Sequence, residues 1–528
     1  MTTPSSLLQQ IVDIAESRNQ DNRERTRIVV QVGHCSESVG AIQISKIIHA
    51  VEKSEIQVVT AGCDGACHEG PKVTITLPSG NHKIIPRTDE DAAYQIAGLI
   101  ETGVNTESPT DFFSSQSRIA MEGIGAIDPV SIDEYLLHDG YSGLAQALMA
   151  TPDEVIATVK ESGLRGRGGA YFPAAIKWDS ARKSQGSQTY LIVNCEEGEP
   201  GIFKDRHLME GIPHRILEGM IIAAYASGSS MAYIYVNAEA DLSSKRLQDA
   251  VDQAYKSGFL GEKILGSNFS LQVEIRRGAG GYVCGEETTL LNTIEGYRRE
   301  PRIKPPLPIE SGLWAHPTVI NNAETLASIP FIMTRGPDAF SKIGTDDSAG
   351  TKIISLSGAV ERPGVVEVPM GTTLRQIIYD LGGGPIEGHE ITTIAIGGPS
   401  SGVFPATMLD TKIAPGQLHE SGVMLGAGGV IALDERTDVL GIVRHLANYN
   451  SNESCGKCTP CREGTPRIVE ALDRVRYGNG STADIEELRD LADIVELASL
   501  CGLGQAAGGP IKSALHFFGD EFNKLVNN

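Results

Sequence analysis

Basic side chains are in deficit: 45 Lys and Arg stand against 67 Asp and Glu in 528 residues, a net charge of −22. That balance argues against nucleic acid or an anionic membrane as a main partner, because both attract basic surfaces. It leaves a solvated, repulsive surface or docking to a basic partner subunit. Long apolar runs are missing as well. The longest uncharged stretch, Met220 to Asn237, is broken by Ser227-Gly228-Ser229-Ser230 and reads as a helix end, a turn and the strand Met231–Val236. No transmembrane helix and no direct membrane insertion are expected. The opening residues Met1-Thr2-Thr3-Pro4-Ser5-Ser6 show no basic region followed by an apolar one. No secretion signal is expected, and the expected location is cytoplasmic. The nine cysteines do not suggest a disulfide framework in a chain of this size. The dinucleotide fingerprint G-x-G-x-x-G is absent from the glycine-rich turns. Its nearest approach, Gly502-Leu-Gly504-Gln-Ala-Ala507, follows a predicted helix rather than a strand and is set aside.

What is present reads as a multidomain α/β protein, since the chain is too long for one core. Residues 1–23 form a polar amphipathic segment. Strands at 27–32, 56–60 and 72–77 and helices at 42–53 and 89–99 then make a mixed unit over 1–104, and 105–129 reads as a linker. Helices and strands alternate with glycine-rich loops over 130–345, the pattern of an α/β sheet domain. A smaller β-grasp-like unit follows over 346–432, with strands at 353–357 and 365–368 and a helix at 373–381. The last segment, 433–528, reads as a helical bundle. In it Ile485, Leu488, Leu491, Val495 and Ala498 recur at helical spacing behind a cap at Ser481 or Thr482.

The cysteines fall into groups. Cys455-Gly-Lys-Cys458-Thr-Pro-Cys461 is a C-x2-C-x2-C run, and Cys501 follows after a predicted helix. Three thiolates on one tight loop with a distant fourth suit a 4Fe–4S cubane. A four-cysteine zinc site more often uses two separated C-x2-C pairs. In the first unit Cys63-Asp-Gly-Ala-Cys67 is a C-x3-C loop and Cys35 follows the first strand. A thioredoxin-like 2Fe–2S domain would need a fourth thiolate, and Val30 stands five positions before Cys35 where it belongs. His34, Ser36 or His68 could substitute, or the unit could hold no metal.

Three loops point to a cofactor crevice. Gly163-Leu-Arg-Gly166-Arg-Gly168-Gly169 permits close backbone approach to a phosphate, with arginines to offset its charge and Lys177 just beyond. Asn194-Cys-Glu196-Glu197-Gly198-Glu199 ends an apolar strand, the usual binding position in an open α/β sheet. Its carboxylates would face ribose hydroxyls or ring N–H groups. Gly278-Ala-Gly-Gly281-Tyr-Val-Cys284-Gly285-Glu286-Glu287 is a third such turn.

Residues 130–515 resemble the NADH-binding flavoprotein subunit of respiratory complex I and its relatives in NAD-reducing hydrogenases and formate dehydrogenases. GLRGRGGAYFP, EEGEPGIFKDR, CGEETTLLNTIEG and ESCGKCTPCREG carry the resemblance. It implies a Rossmann-like domain holding FMN and NADH, a β-grasp domain of the soluble-ligand-binding kind, and a helical bundle with 4Fe–4S on Cys455, Cys458, Cys461 and Cys501. It places FMN against Gly166, Arg167, Gly168, Lys177, Asn194, Glu196, Gly285, Glu286, Asn321, Asn322 and Thr325. It places NAD(H) against Phe172, Lys177, Glu199 and Glu287. No protein side chain is implied as a catalyst, because the flavin takes the hydride and single electrons then leave through the cluster. Members of the family often carry Asp where Glu196 stands and Phe where Leu307 stands. The thioredoxin-like extension, with its possible 2Fe–2S site at Cys35, Cys63 and Cys67, is similar to that of the diaphorase subunit of a bidirectional NAD-reducing hydrogenase. Iron–sulfur diaphorase subunits and hydrogenase subunits are then the implied partners in a hetero-oligomer. An electron-bifurcating hydrogenase, a complex I or formate dehydrogenase subunit, and a flavin-free electron-transfer or scaffold subunit are the competing readings.

Overall fold

The computed structural model describes residues 3–102, 111–184 and 188–526. Near the N-terminus, short β-branched runs build β1 (Thr26–Gln31), β2 (Ile56–Ala61) and β3 (Lys72–Thr76), and β4 (His82–Ile85) follows. They pair in the order β2-β1-β3-β4, with β1 parallel to β2 and the other pairs antiparallel. The helices Ala41–His49 and Glu90–Thr102 cover this sheet, burying Ile44, Ile48, Ala93 and Ile96 with Ile28, Val30 and Val73. Strand β4 is an addition to the sequence reading. Its four half-buried residues carry little apolar contrast.

The first helix, Pro4–Asn19, is capped by Thr3 and buries Leu8 and Ala15. Those residues join the core of the next unit rather than that of β1–β4. The expected linker lies outside the described residues up to 110. From 111 onward it is packed, with Phe112, Ile119, Met121 and Ile124 buried. Glu367 holds it by accepting the backbone N–H groups of Ile119, Ala120 and Met121 at 2.9–3.0 Å.

The second unit is a four-stranded parallel sheet, β5 (Tyr190–Cys195), β6 (Met231–Val236), β7 (Gln272–Arg277) and β8 (Thr318–Asn322), in the order β7-β6-β5-β8. The helix Pro213–Ser227 crosses between β5 and β6 and is buried along nearly its whole length. Its polar residues His214, Arg215 and Glu218 are hydrogen-bonded inside, to the Tyr141 hydroxyl, the Ile119 carbonyl and the Tyr141 N–H. A third unit has the mixed sheet β10-β9-β13-β11-β12, formed by β9 (Thr351–Gly358), β10 (Gly364–Pro369), β11 (Ile391–Ile396), β12 (Gly402–Pro405) and β13 (Gly429–Asp434). The helix expected at 373–381 is wound loosely over Gln376–Leu381, with the Gly382 N–H reaching the Ile377 carbonyl oxygen five residues back. The last unit is helical. Val439–Glu453, Thr459–Arg476 and Thr482–Ala498 bury Val443, Ile468, Leu472, Leu488 and Val495 in a common core. Ser481 and Asp484 form the capping box of the third of these helices.

Candidate functional site

A cleft with a volume of about 640 Å3 opens at the carboxyl ends of β5 and β8, the binding position of open parallel sheets. All three glycine-rich loops reach its wall. The first is fixed from a distance: the Arg167 N–H donates to the Thr325 hydroxyl at 2.8 Å, and the Gly166 N–H to the Phe172 carbonyl at 2.9 Å. A Cβ on Gly168 would stand 3.1 Å from that of Asn322, so a side chain there crowds the cradle. Asn322 is itself pinned, donating to Asp205 at 2.7 Å and capping the helix Ala323–Ala327. The second and third loops are tied by Asn194, whose amide donates to the Gly285 carbonyl at 2.9 Å.

The acids of the cleft are strongly differentiated. Burial pushes Glu196 up to about 7 although the Asn237 amide donates to it. Burial and neighbouring Asp205 lift Glu197 to about 7. Burial lifts Glu199 to about 8 against the pull of Lys204. Glu196 Oε2 and Glu199 Oε1 are buried without a protein partner. Such orphaned acceptors fit a ligand rich in hydroxyl donors. Glu286 is different: it caps the helix Glu287–Ile294 through Thr288 and Thr289 and pairs with Lys304 at 2.9 Å. Burial raises its carboxyl, and Thr288 and Lys304 outweigh that and hold it below the usual range. Lys177 pairs with Glu287 and also donates to the Ile320 carbonyl at 3.3 Å.

Every residue expected at the flavin and nicotinamide positions lines this cleft except Arg167. That side chain is 1% exposed, and its guanidinium donates to the Ala349 carbonyl at 2.6 Å. Its Nε and Nη1 are buried without a protein partner. The cations on the cleft wall are Lys177 and Lys304. Tyr171, Asp205, Tyr282, Val283, Lys304 and Leu503 also line it and were not singled out by sequence. Tyr171, Asp205, Tyr282 and Val283 lie within the motifs already noted, whereas no local signal marks Lys304 or Leu503.

The C-terminal cysteines adjoin the cleft. Cys455, Cys458, Cys461 and Cys501 cluster with Val283 and Leu503, and those two residues also form part of the cleft wall. All four thiols are free of disulfides. Burial pushes Cys461 up to about 11. Cys501 is raised by burial while the Leu503 and Gly504 N–H groups oppose the shift. A Cβ on Gly504 would lie 3.2 Å from that of Cys461, so the glycine lets the two cysteine segments approach. Four soft donors in a mostly apolar setting, with backbone N–H groups aimed at sulfur, fit an iron–sulfur cluster. The helical unit also grips the cleft loops. Tyr449 donates to the Gly198 carbonyl at 2.6 Å, and the Tyr282 N–H donates to Glu453 at 2.7 Å.

The N-terminal cysteines face the second unit. Cys67 Sγ lies 3.6 Å from His207 Nε2, on the helix Lys204–Gly211. The substitutes weighed from sequence are otherwise engaged. The His34 ring contacts Arg206, the Ser36 hydroxyl caps Gly33, and the His68 ring faces the Pro363 carbonyl. Val30 is fully buried in the sheet core.

Residues 159–331 match the Nuo51 FMN-binding domain, 353–404 the SLBB domain, and 441–525 the NADH-ubiquinone oxidoreductase-F iron–sulfur binding region. The NADP-reducing hydrogenase subunit HndC of Solidesulfovibrio fructosivorans is 45% identical over 78% of this chain and 84% of its own length. An NADH-quinone oxidoreductase subunit of Rhizobium meliloti is 43% identical over 76% of this chain and 96% of its own. A crystal structure of NAD+-reducing [NiFe]-hydrogenase in the air-oxidized state aligns with a TM-score of 0.69 at 28% identity, over 95% of this chain and 85% of that one.

Proposed function

The chain belongs to the family that includes these NADH-quinone oxidoreductase subunits and the hydrogenase subunit HndC, and on that premise we propose that it is the NADH-oxidising flavoprotein subunit of an electron-transferring oxidoreductase. FMN and a 4Fe–4S cluster are its cofactors and NAD(H) its substrate, in keeping with the matched FMN-binding and iron–sulfur regions. The observation that carries this reading is the shared wall: Val283 and Leu503 belong at once to the cleft and to the cysteine cluster.

When bound, FMN accepts a hydride and gives up electrons singly, and the cluster accepts them singly. The protein positions and insulates. Gly166, Gly168 and Gly285 let backbone approach the flavin, while Asn194, Asn321 and Asn322 sit at strand ends whose hydrogen bonds hold them still. Phe172, Lys177, Glu199 and Glu287, which line the same cleft, would contact the dinucleotide. An unpartnered Glu199 oxygen would accept a hydrogen bond from an adenosine 2′-hydroxyl, which a 2′-phosphate cannot donate, and this supports NAD over NADP. Tyr282 and Leu503 close the cysteine side against water.

The units then read as a thioredoxin-like domain within 1–104 whose first helix packs on the next unit, a connecting segment (105–129) packed from 111 onward, a Rossmann-like flavin domain (130–345), a β-grasp domain (346–432) and a cluster-binding bundle (433–528). The SLBB match supports the fourth. The relatives are subunits of larger assemblies, and this chain works in such a hetero-oligomer. Iron–sulfur diaphorase and hydrogenase subunits are the partners favoured by the 95% coverage of the NAD+-reducing hydrogenase. Among the described residues no helix is long and apolar enough to cross a membrane, and the cytoplasm is the proposed location.

Rapid mixing of the purified, cofactor-loaded protein with NADH tests the reading. Cys458→Ser should keep bleaching of the flavin absorbance and abolish onward transfer to a one-electron acceptor that couples through the cluster. Unimpaired onward transfer in that variant, or a wild-type chain carrying neither FMN nor iron, would sink it.

A further inference from the structure

The first unit presents three cysteines and no fourth ligand of its own, and the fold brings one from the second unit. The Cys63 and Cys67 sulfurs and a His207 ring nitrogen all lie within 4.8 Å of one another. The Cys35 thiol stands outside that trio and interacts with the Cys67 thiol, so a third sulfur borders the same group. The His207 ring is oriented as metal-bound imidazoles are. Its Nδ1 stands 2.8 Å from the Phe203 carbonyl oxygen. A carbonyl cannot donate, so Nδ1 carries the proton and Nε2 is the nitrogen turned to the sulfurs. A backbone carbonyl behind the ring is the usual support of a ligating histidine.

The meeting of the two units beside this cluster is tight. A Cβ on Gly62 would fall 2.4 Å from the Gly211 Cα, so the backbones touch next to Cys63 and on the helix that carries His207. The His34 N–H donates to Glu210 at 2.8 Å, and Arg246 donates to the Val32 carbonyl at 3.0 Å. The histidine is therefore held in register with the cysteine loops rather than left to reach for them.

We propose that Cys35, Cys63, Cys67 and His207 form a Cys3His metal centre across the junction of the first two units, with His207 as the fourth ligand. Three thiolates and one imidazole select a thiolate-seeking metal, either a 2Fe–2S cluster or a single zinc ion. The centre sits close to the cleft: Asp205, two positions before His207 on the same helix, lines it. A role for the centre in electron exchange with the cleft rests on the flavin reading above, whereas the ligand assignment does not.

The full chain, purified anaerobically with FMN and its C-terminal cluster, is analysed for iron, sulfide and zinc alongside His207→Ala and His207→Cys. Wild type should carry metal beyond the 4Fe–4S cluster, and sulfide with iron or zinc alone tells the two forms apart. His207→Ala should lower that additional metal about tenfold or more. His207→Cys should retain it with an all-sulfur ligand set. A nitrogen ligand should be visible in wild type and lost in His207→Cys, by pulsed electron paramagnetic resonance for a reduced cluster or by X-ray absorption for zinc. FMN content and the C-terminal cluster signal verify the fold of each variant. Full additional metal with an unchanged spectrum in His207→Ala overturns the assignment. So does a wild-type chain that holds FMN and the C-terminal cluster but no further metal. A chain without FMN and without the C-terminal cluster would instead overturn the flavin reading.

Discussion

Replacing Glu199 by Gln should flatten the dependence of stability on pH. Burial lifts the Glu199 carboxyl from 4.5 to about 8, Lys204 opposes the shift and Glu197 adds to it. The folded FMN-free chain therefore keeps a proton that the unfolded chain has released. Wherever the native state binds the extra proton, stability falls as pH rises. For Glu199 the fall begins near the unfolded value, runs at about 1.4 kcal/mol per pH unit and levels off above the folded value. Between roughly pH 6 and pH 7.5 its share is about 2 kcal/mol. Glutamine does not titrate and loses that share, while Glu196 and Glu197, both near 7, keep theirs. The slope should shrink without vanishing. Both tryptophans, Trp178 and Trp314, lie in the second unit, so their fluorescence follows the urea unfolding of that unit alone. Wild type should lose about 2 kcal/mol more than Glu199→Gln between the two pH values. Equal losses, to within about 0.5 kcal/mol, would refute the claim that this carboxyl is held neutral by burial.

Gly168→Ala places a methyl group 3.1 Å from the Asn322 Cβ, and Asn322 is pinned by Asp205. FMN affinity, read by quenching of flavin fluorescence, should weaken about tenfold, or about 1.4 kcal/mol; unchanged affinity would remove this loop from the cradle. Glu324 lies between Lys204 and Lys352, at 2.9 and 2.6 Å, with all three side chains buried. Burial pushes the Lys352 ammonium down to about 7 although Glu324 pairs with it, so at about pH 6, where both lysines are charged, Glu324→Gln should cost about 3–5 kcal/mol in urea unfolding. A loss below about 1 kcal/mol at that pH would mean that Asp205 alone compensates Lys204 and that Lys352 sheds its proton once Glu324 is gone.

The chemistry-bearing motifs were readable because their information is local. C-x2-C-x2-C needs only a tight loop, and the glycine runs and the acids after β5 announce a crevice wherever a parallel sheet forms. The capped helix Thr482–Ala498 was equally plain from its period. Less plain was the direction in which side chains leave those motifs. Arg167 was marked by its loop, but only the fold shows that the Thr325 hydroxyl, 158 positions later, takes its N–H and that its guanidinium is buried with one bond to the Ala349 carbonyl. The helix Pro4–Asn19 showed its amphipathic face but not its acceptor, which is the core of the second unit.

The sequence by itself determined the ligand types, their spacing within each loop and the order of strands and helices, since these follow from side-chain chemistry and periods of 2 and 3.6 residues. Only the tertiary structure decided which loops meet. Val283 and Leu503 came to separate the cleft from the cysteines, and His207 came to face Cys67 across 140 positions of chain. Such meetings depend on how buried faces and glycine backbones of different units pack together, and no short stretch of residues encodes that.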